Sequence, residues 1–188
     1  MRIIAGTFRG KKILDPKDTS TRPLKDLAKE SIFNILNHSN KFDINLENSN
    51  ILDLFSGVGS FGIECLSRGA KYVVFAERYD GVLPMLRKNL QSLKSIENFE
   101  IIQQDIYNDK FFLNLNKKFE VIFMDPPYRD KNLSLLLDII KNEKILKENG
   151  ILIIHRHKDE KDIIPNKLNI IEEKKYGLSK IIFLSILS

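Results

Sequence analysis

The sequence predicts an α/β fold, a doubly wound and mostly parallel sheet of seven strands. From Asn50 onward, short unbroken apolar segments alternate with helical ones, which is typical of a parallel sheet covered by helices on both faces. From residue 168 two apolar strands follow with only a turn between them, so they must pair antiparallel. We therefore expect five parallel strands and a C-terminal hairpin, with ligands bound outside the carboxyl ends of the parallel strands.

Each predicted element follows from its local pattern. The parallel strands are ILDLF (51–55), YVVFA (72–76), FEIIQ (99–103), FEVIFM (119–124) and GILIIH (150–155). Helices are predicted between them, at about 60–68, 80–94, 107–114 and 132–147. The C-terminal strands LNIIEEKKYG and SKIIFLSIL are joined by a turn at Tyr176 and Gly177.

Residues 1–40 are predicted to form a small extension ahead of the main domain at 41–188. RIIAG and KKIL flank TFRG, which is typical of a short hairpin with a glycine-containing turn. Pro23 then begins a helix that we expect to end near Asn37. Its apolar stripe consists of Leu24, Ala28, Ile32, Ile35 and Leu36.

The positive charge of the chain is concentrated in this extension. Residues 1–29 hold eight lysines and arginines against three aspartates, which equals the whole net charge of +5. A basic segment on a neutral body predicts a polyanionic partner. The alternative is a solvated surface with no partner.

Composition excludes several classes of protein. With 43% hydrophobic and 29% charged residues in 188, the chain is typical of one globular domain, and no apolar run reaches the roughly 18 residues of a membrane span. The single cysteine, Cys65, cannot form an internal disulfide, and we expect it to be buried in a helix. We expect a cytoplasmic monomer. We also expect no metal, because His155 and His157 share a strand face but have no third ligand nearby.

The run GVGSFG, Gly57 to Gly62, matches the glycine pattern of dinucleotide-binding folds, and Glu77 follows at the distance of a ribose-binding acid. An NAD-dependent enzyme is therefore one alternative. Asp53 argues against it, because it lies in the preceding strand only four residues ahead of Gly57, near where the pyrophosphate would lie. Two like charges 4 Å apart cost about 4 kcal/mol at an effective dielectric constant of 20.

Carboxylates recur at equivalent places in the predicted sheet. Asp53, Glu77, Asp105 and Asp125 each stand at or just after the end of one of the first four strands. One such acid alone would be a helix cap or a solvated loop residue. Four together favour a cationic ligand without phosphate, such as S-adenosylmethionine, with Glu77 accepting from the ribose hydroxyls and Asp105 from the adenine amine. The predicted cofactor-binding residues are Asp53, Phe55, Ser56, Gly57, Gly59, Glu77, Arg78, Asp105, Ile106 and Asp125.

The fourth strand leads directly into Asp125-Pro126-Pro127-Tyr128, the predicted catalytic segment. Two prolines end the strand and stiffen the chain. An exocyclic nucleobase amine is a poor nucleophile, but hydrogen bonds from its N–H groups to the Asp125 carboxylate and the Pro126 carbonyl would free its lone pair. Tyr128 offers a stacking face worth roughly 1–3 kcal/mol. This pattern predicts amine methylation of an unpaired or flipped base.

DLFSGVG and DPPY resemble the motifs of Rossmann-type S-adenosylmethionine-dependent methyltransferases. RIIAGTFRGKKI, TRPLKDLAKESIFNIL, FSGVGSFGIECLSRGA and KYGLSKIIFL resemble the bacterial 16S rRNA (guanine(966)-N(2))-methyltransferase family more specifically. The resemblance spans nearly the whole chain. It implies methylation of one guanine N2 in 16S rRNA, within an assembled or assembling small subunit.

The resemblance also implies that the basic extension holds the RNA backbone. The predicted RNA-binding residues are Arg2, Arg9, Lys11, Lys12 and Arg22. Four positions depart from the family pattern. Leu24 stands where Thr is frequent, Leu27 and Lys29 stand where Arg is frequent, and His155 stands where an acid is expected. Losing an arginine fork at position 27 or 29 would weaken a phosphate contact.

Two further alternatives share part of this pattern. A methyltransferase acting on adenine or cytosine of DNA or of another RNA would share DPPY and the acids, but a DNA enzyme usually carries a separate target-recognition region. A non-catalytic RNA-binding module would use the basic extension but would have no need for DPPY.

Overall fold

The computed structural model describes residues 1–16, 24, 26–94, 96–108, 110–127 and 129–187. Its strands are β1 (Asn50–Leu54), β2 (Tyr72–Ala76), β3 (Phe99–Ile102), β4 (Phe119–Met124), β5 (Leu146–His157), β6 (Leu168–Tyr176) and β7 (Ser179–Ile186). Its helices are α1 (Asp26–His38), α2 (Ser60–Ser67), α3 (Leu83–Ser92) and α4 (Leu133–Asn142). Two 3₁₀ turns, Leu46–Asn48 and Phe112–Asn114, complete the elements.

The seven strands form one sheet in the order β3-β2-β1-β4-β5-β7-β6. The first five are parallel, and β7 pairs antiparallel with both β5 and β6. This confirms the predicted fold class. The strand order reverses between β1 and β4, and in such sheets a ligand crevice opens at the carboxyl ends of the strands beside that point.

Side chains alternate between two apolar cores on the two faces of the sheet. Ile51, Val73 and Phe75 pack against α1, α2 and α3. Leu52 and Val74 point to the other face and pack against α4. Burial on both faces explains why these strands have continuous apolar sequences. Cys65 is buried in the first core, as predicted.

The predicted helix over 132–147 is too long, because β5 already begins at Leu146. After α4 the chain passes through Lys144, whose φ of +52° is left-handed and incompatible with a continuing helix. The carbonyl of Ile145 then accepts a hydrogen bond from the Phe119 amide at 2.8 Å. This backbone pairing with β4 takes the segment that its apolar spacing assigned to the helix.

Other predicted elements differ in extent. The helix predicted over 80–94 is α3, and the helix near 107–114 is a 3₁₀ turn. The N-terminal hairpin contains one antiparallel bridge, between Arg2 and Lys12, rather than two strands. Pro23, the predicted start of the first helix, lies outside the described residues. No helix in the described ranges combines the length and apolar character needed to cross a bilayer.

The N-terminal loop is fastened to α2 through two buried side chains. The Glu64 carboxylate accepts hydrogen bonds from the amides of Ile4 (2.8 Å) and Ala5 (2.9 Å), and the Ser67 hydroxyl donates to the Ala5 carbonyl (2.6 Å). Gly6 has a φ of +79°, and a Cβ atom there would lie 1.8 Å from the Ser67 carbonyl oxygen. Only glycine therefore fits where the loop crosses the helix.

Candidate active site

The carboxyl ends of the parallel strands open into a cavity of about 960 Å³. The structure brings all four predicted acids together in its lining: Asp53, Glu77, Asp105 and Asp125. Seven other predicted site residues also line it, namely Phe55, Ser56, Gly57, Arg78, Ile106, Pro126 and Pro127. Tyr128 lies outside the described residues, so its stacking role stays a prediction.

The glycine loop does not present a free cradle to a phosphate. The Gly57 amide donates to Glu77 Oε2 at 2.8 Å, and the other oxygen of Glu77 accepts from the Tyr79 amide at 2.8 Å. To bond the Gly57 amide, a pyrophosphate would have to displace the Glu77 carboxylate from it. The two negative groups would then still be neighbours and would repel each other. The loop geometry therefore argues against a dinucleotide.

Two of the glycines serve packing instead of ligand approach. Gly59 has a φ of +85° and stands at the N-cap of α2, outside the cavity lining. A Cβ atom on Gly62 would lie 2.3 Å from the ring of Phe75. The glycine pattern is thus explained largely by the close packing of α2 against β2 and by the left-handed turn that precedes the helix.

Asp53 is the most deeply buried acid of the cavity, with 1% of its surface exposed. Its Oδ2 accepts a hydrogen bond from the Gly62 amide at 2.9 Å. Burial raises the pKa of Asp53 well above its ordinary value, and the neighbouring Asp125 and Glu77 raise it further. A cationic ligand in the cavity would offset this cost of ionisation.

We expect Asp53→Asn to stabilise the ligand-free protein while weakening binding of a cationic cofactor. Because its folded-state pKa is raised, Asp53 reduces stability as the pH rises from the ordinary aspartate value of about 4 through the raised value. The variant should therefore have a higher free energy of unfolding than the parent at pH 8 and a similar one at pH 4. Urea unfolding at both pH values tests this, with exposed Asp159→Asn as the control.

Two serine hydroxyls in the cavity wall suit a hydrogen-bonding ligand. Ser56 Oγ and Ser60 Oγ are buried, line the cavity and have no hydrogen-bond partner among the described residues. Buried polar atoms are almost always satisfied, so each hydroxyl is placed to bond a bound molecule or an ordered water. Four carboxylates and two such hydroxyls fit the ammonium and hydroxyl groups of S-adenosylmethionine.

Asp125 leaves β4 at the edge of the cavity and contacts a histidine that sequence analysis did not assign to the site. Asp125 Oδ1 and His155 Nδ1 are 2.9 Å apart, and His155 Nε2 lies 2.9 Å from Ser179 Oγ. In the sequence, His155 stood out only as a departure from an expected acid. The signal that would have placed it is the adjacency of β4 and β5, whose parallel ends lie side by side.

Arg156, the next residue of β5, fixes the backbone that follows Asp125. Its buried guanidinium donates to the carbonyls of Pro127 (3.2 Å) and Asp130 (3.1 Å) and pairs with Asp162 at 2.7 Å. The planar guanidinium thus bonds three different partners within the protein. The backbone at Pro127 and Asp130 is therefore held by this arginine.

Asp105 and Arg78 pair with each other at the far side of the cavity. Arg78 Nη1 donates to Asp105 Oδ2 at 2.5 Å, and the Tyr107 amide donates to Oδ1 at 3.0 Å. The Tyr107 hydroxyl in turn donates to Asp130 at 2.9 Å, and burial raises the pKa of Tyr107. An adenine amine at Asp105 would use the remaining lone pairs of this carboxylate.

The predicted RNA-binding residues occupy different environments. Arg2, Arg9 and Lys12 are exposed, whereas the Lys11 ammonium donates to the Ser92 carbonyl at the end of α3. Arg22 lies outside the described residues.

The departures from the family pattern also separate in the structure. Leu24 lines the cavity and Leu27 is exposed. Lys29 is fully buried and donates to the Arg2 carbonyl at 2.7 Å, beside Glu64 at 3.5 Å. The Lys29 ammonium is therefore not available for a phosphate contact, because its hydrogen bonds are made inside the protein.

This sheet, with its antiparallel β7 between β5 and β6 and its acidic cavity lined by Asp125, Pro126 and Pro127, is that of an S-adenosylmethionine-dependent methyltransferase. Among the described residues, no group of three or more His, Cys, Asp or Glu could hold a metal ion.

The chain belongs to the family described as Conserved hypothetical protein 95, which matches residues 1–185. It is 35% identical to Ribosomal RNA small subunit methyltransferase D of Haemophilus influenzae over 179 residues, covering 95% of this chain and 90% of that protein. The protein of the same name from Buchnera aphidicola is 31% identical, with 92% and 86% covered. The solved structure "Putative methyltransferase yhhF from Escherichia coli" superimposes with a TM-score of 0.80 at 25% identity, covering 100% of this chain and 98% of that one. These similarities confirm the methyltransferase family indicated by the sequence motifs.

Proposed function

We propose that this protein transfers a methyl group from S-adenosylmethionine to the N2 amine of one guanine in 16S rRNA of the small ribosomal subunit. Two of its relatives over nearly the full chain are named as small-subunit rRNA methyltransferases. The observation that carries the chemistry is the Asp125 carboxylate, which lines the cavity together with Asp53, Glu77 and Asp105 and directly precedes the buried Pro126.

Asp125 and Pro126 prepare the amine by accepting hydrogen bonds. The lone pair of a guanine amine is delocalised into the ring, so the nitrogen is weakly nucleophilic in its planar form. Bonds from both N–H groups, one to the Asp125 carboxylate and one to the Pro126 carbonyl, favour a pyramidal nitrogen with an available lone pair. Pro127 suits this task because a proline restricts the ψ angle of the residue before it, so the Pro126 carbonyl cannot easily swing away.

Bound S-adenosylmethionine supplies an electrophilic methyl group, and Asp53, Glu77, Asp105 and the Ser56 and Ser60 hydroxyls are the residues that would hold it. Asp125 then has a second role. The methylated nitrogen carries a positive charge and an acidic proton, which Asp125 can accept directly. The cluster of acids around the cavity also favours the cation before the proton leaves.

We propose that the basic loop, residues 2–12 with the exposed Arg2, Arg9 and Lys12, binds RNA backbone at a distance from the target base. The tip of the loop, at Gly6 and Thr7, contacts Ser67 at the C-terminal end of α2. The N-terminus of this eight-residue helix faces the cavity, so the tip lies roughly 12 Å from the glycine loop. An RNA that contacts both places must span this distance. We propose that the protein acts on it as a monomer, with structured rRNA or a subunit particle as the substrate.

Nucleoside mass spectrometry tests the proposed reaction. The purified protein is incubated with labelled S-adenosylmethionine and either small subunits or naked 16S rRNA from a strain that lacks this methyltransferase. Labelled N2-methylguanosine at one position is expected. Labelled N6-methyladenosine or methylcytosine would instead support the alternative base specificity, and no transfer to any RNA would contradict the proposal. The two substrates show whether an assembled particle is required.

Replacing Arg9 and Lys12 by alanine is expected to weaken rRNA binding and to reduce its salt dependence. Each lysine or arginine that contacts a phosphate contributes about one unit to the slope of log affinity against log salt. Filter binding over a range of potassium concentrations measures that slope. The control is Lys117→Ala with Lys118→Ala, a lysine pair just before β4. Lys117 lies against Tyr72, which packs on the core at the α4 face of the sheet, whereas the basic loop lies on α2 at the other face. An unchanged slope in the loop variant would identify the loop as a solvated surface.

A further inference from the structure

The end of β5 carries a buried chain of hydrogen bonds that reaches the reacting edge of the cavity. Met124 and Ile154 are partners in the parallel register of β4 and β5, so the residues that follow them, Asp125 and His155, lie side by side. His155 is only 4% exposed, and both of its ring nitrogens are within 2.9 Å of a polar side-chain atom. Nothing in the mechanism above accounts for this imidazole.

The partners of His155 determine its tautomer. An ionised carboxylate only accepts hydrogen bonds, so Nδ1 must carry the proton that is shared with Asp125. In the neutral ring Nε2 is then an acceptor, and the Ser179 hydroxyl can donate to it. In this arrangement both ring nitrogens of His155 and the Ser179 hydroxyl have hydrogen-bond partners, and Asp125 Oδ1 accepts from Nδ1.

The arrangement leaves one carboxylate oxygen of Asp125 available. Oδ1 is engaged by His155, and no hydrogen bond within the described part of the chain uses Oδ2. Asp125 lines the cavity and its side chain is 20% exposed, so the carboxylate can reach a bound base.

We propose that His155 is the positioning residue for the methyl-transfer step, holding Asp125 through Oδ1 so that Oδ2 receives the target amine. Ser179 fixes the tautomer that makes this possible. The inference rests on the proposed function of Asp125 as the amine acceptor, and it gives a role to a histidine that stands where the sequence analysis expected an acid.

The backbone that follows Asp125 is held independently of His155. Arg156 bonds the carbonyls of Pro127 and Asp130, so loss of the imidazole should release the Asp125 side chain without releasing the loop. The effect of His155 variants is therefore expected in the turnover rate and not in cofactor affinity.

Steady-state kinetics of His155 variants test the proposal. His155→Leu is expected to lower kcat roughly tenfold to a hundredfold, while KM for S-adenosylmethionine changes less than about twofold. His155→Asn should recover much of kcat, because its amide N–H can take the place of Nδ1–H. The matched control is His157→Leu, two residues along the same strand and outside the cavity lining, which should retain the parent kcat.

Two outcomes of the kinetics would overturn the proposal. One is a kcat of His155→Leu within twofold of the parent. The other is an equal loss in His155→Leu and His155→Asn accompanied by a matching fall in unfolding temperature, which would show a purely structural role. If Asp125→Ala is inactive while His155→Leu is fully active, only the role of His155 fails. If the parent protein itself methylates no guanine, the proposed function fails.

A spectroscopic measurement does not depend on activity. Long-range proton–nitrogen correlation spectra of the ligand-free protein report which ring nitrogen carries the proton. The Nδ1–H tautomer is expected for His155, with a shift toward a mixture in Ser179→Ala. An Nε2–H tautomer in the parent protein would overturn the proposed arrangement.

Discussion

Asp125→Ala is expected to lower kcat for methyl transfer by about 10²–10⁴ while leaving affinity for S-adenosylmethionine nearly unchanged. The substitution removes an acceptor for the target amine and the group that can take its proton. It also removes a carboxylate that raises the pKa of Asp53, so cofactor binding should not suffer from loss of charge alone. Single-turnover methylation of rRNA and calorimetric titration with the cofactor measure the two effects separately.

Asp125→Asn distinguishes the acceptor role from the proton role. Its amide can still present one oxygen to the amine, but it cannot take up a proton at neutral pH. We expect an intermediate rate that does not recover at higher pH. Exposed Asp43→Asn is the control for loss of one negative charge. A parent-like rate in Asp125→Ala would remove this residue from the mechanism, and a large parallel loss of cofactor affinity would make it a cofactor residue instead.

The sheet and the acidic cavity could be predicted from sequence because both depend on local patterns. Continuous apolar segments such as 72–76 form strands buried on both faces, and the alternation with helices forces parallel pairing. Acids that follow adjacent parallel strands must then lie at the same edge. Asp53 and Asp125 are 72 residues apart in the chain, yet their strands β1 and β4 are neighbours.

The parts that were missed depend on contacts between side chains distant in sequence. His155 and Arg156 gave no local signal of their partners, because Ser179, Pro127 and Asp162 are specified only by the register of β5. The end of α4 was missed because pairing with β4 is stronger than the apolar spacing that favoured a longer helix. Polar residues at the end of a buried strand are therefore better assigned after strand order is known.

A second consequence of distant contacts concerns Glu64, which has no role in the sequence pattern. Its carboxylate is fully buried on α2, where it accepts from two backbone amides and from Arg68 at 2.9 Å, and lies 3.5 Å from Lys29. Burial lowers the pKa of Lys29, and the Glu64 charge opposes that shift. One acid thus neutralises a buried ammonium and fastens the N-terminal basic loop to the helix that begins at the glycine loop.

Glu64→Leu is expected to lower the free energy of unfolding by about 3–5 kcal/mol, because it leaves a buried lysine without its counter-charge and two amides without acceptors. Urea unfolding measures the loss. The double variant Lys29→Met with Glu64→Leu should recover part of it, since both charges are then absent. Asp138→Asn, which breaks the Asp138–Lys141 pair on the surface of α4, should change stability by no more than about 0.5 kcal/mol.

The same variants separate stability from RNA binding. The double variant restores neutrality but not the bonds to Ile4 and Ala5, so the basic loop should be held less firmly to α2, by its bonds to Ser67 alone. We expect it to bind the cofactor like the parent protein and to bind rRNA more weakly, with a reduced salt slope. Full rRNA affinity in the double variant would show that the loop need not be fixed to α2, and a loss below about 1 kcal/mol in Glu64→Leu would show that Lys29 finds another partner or gives up its proton.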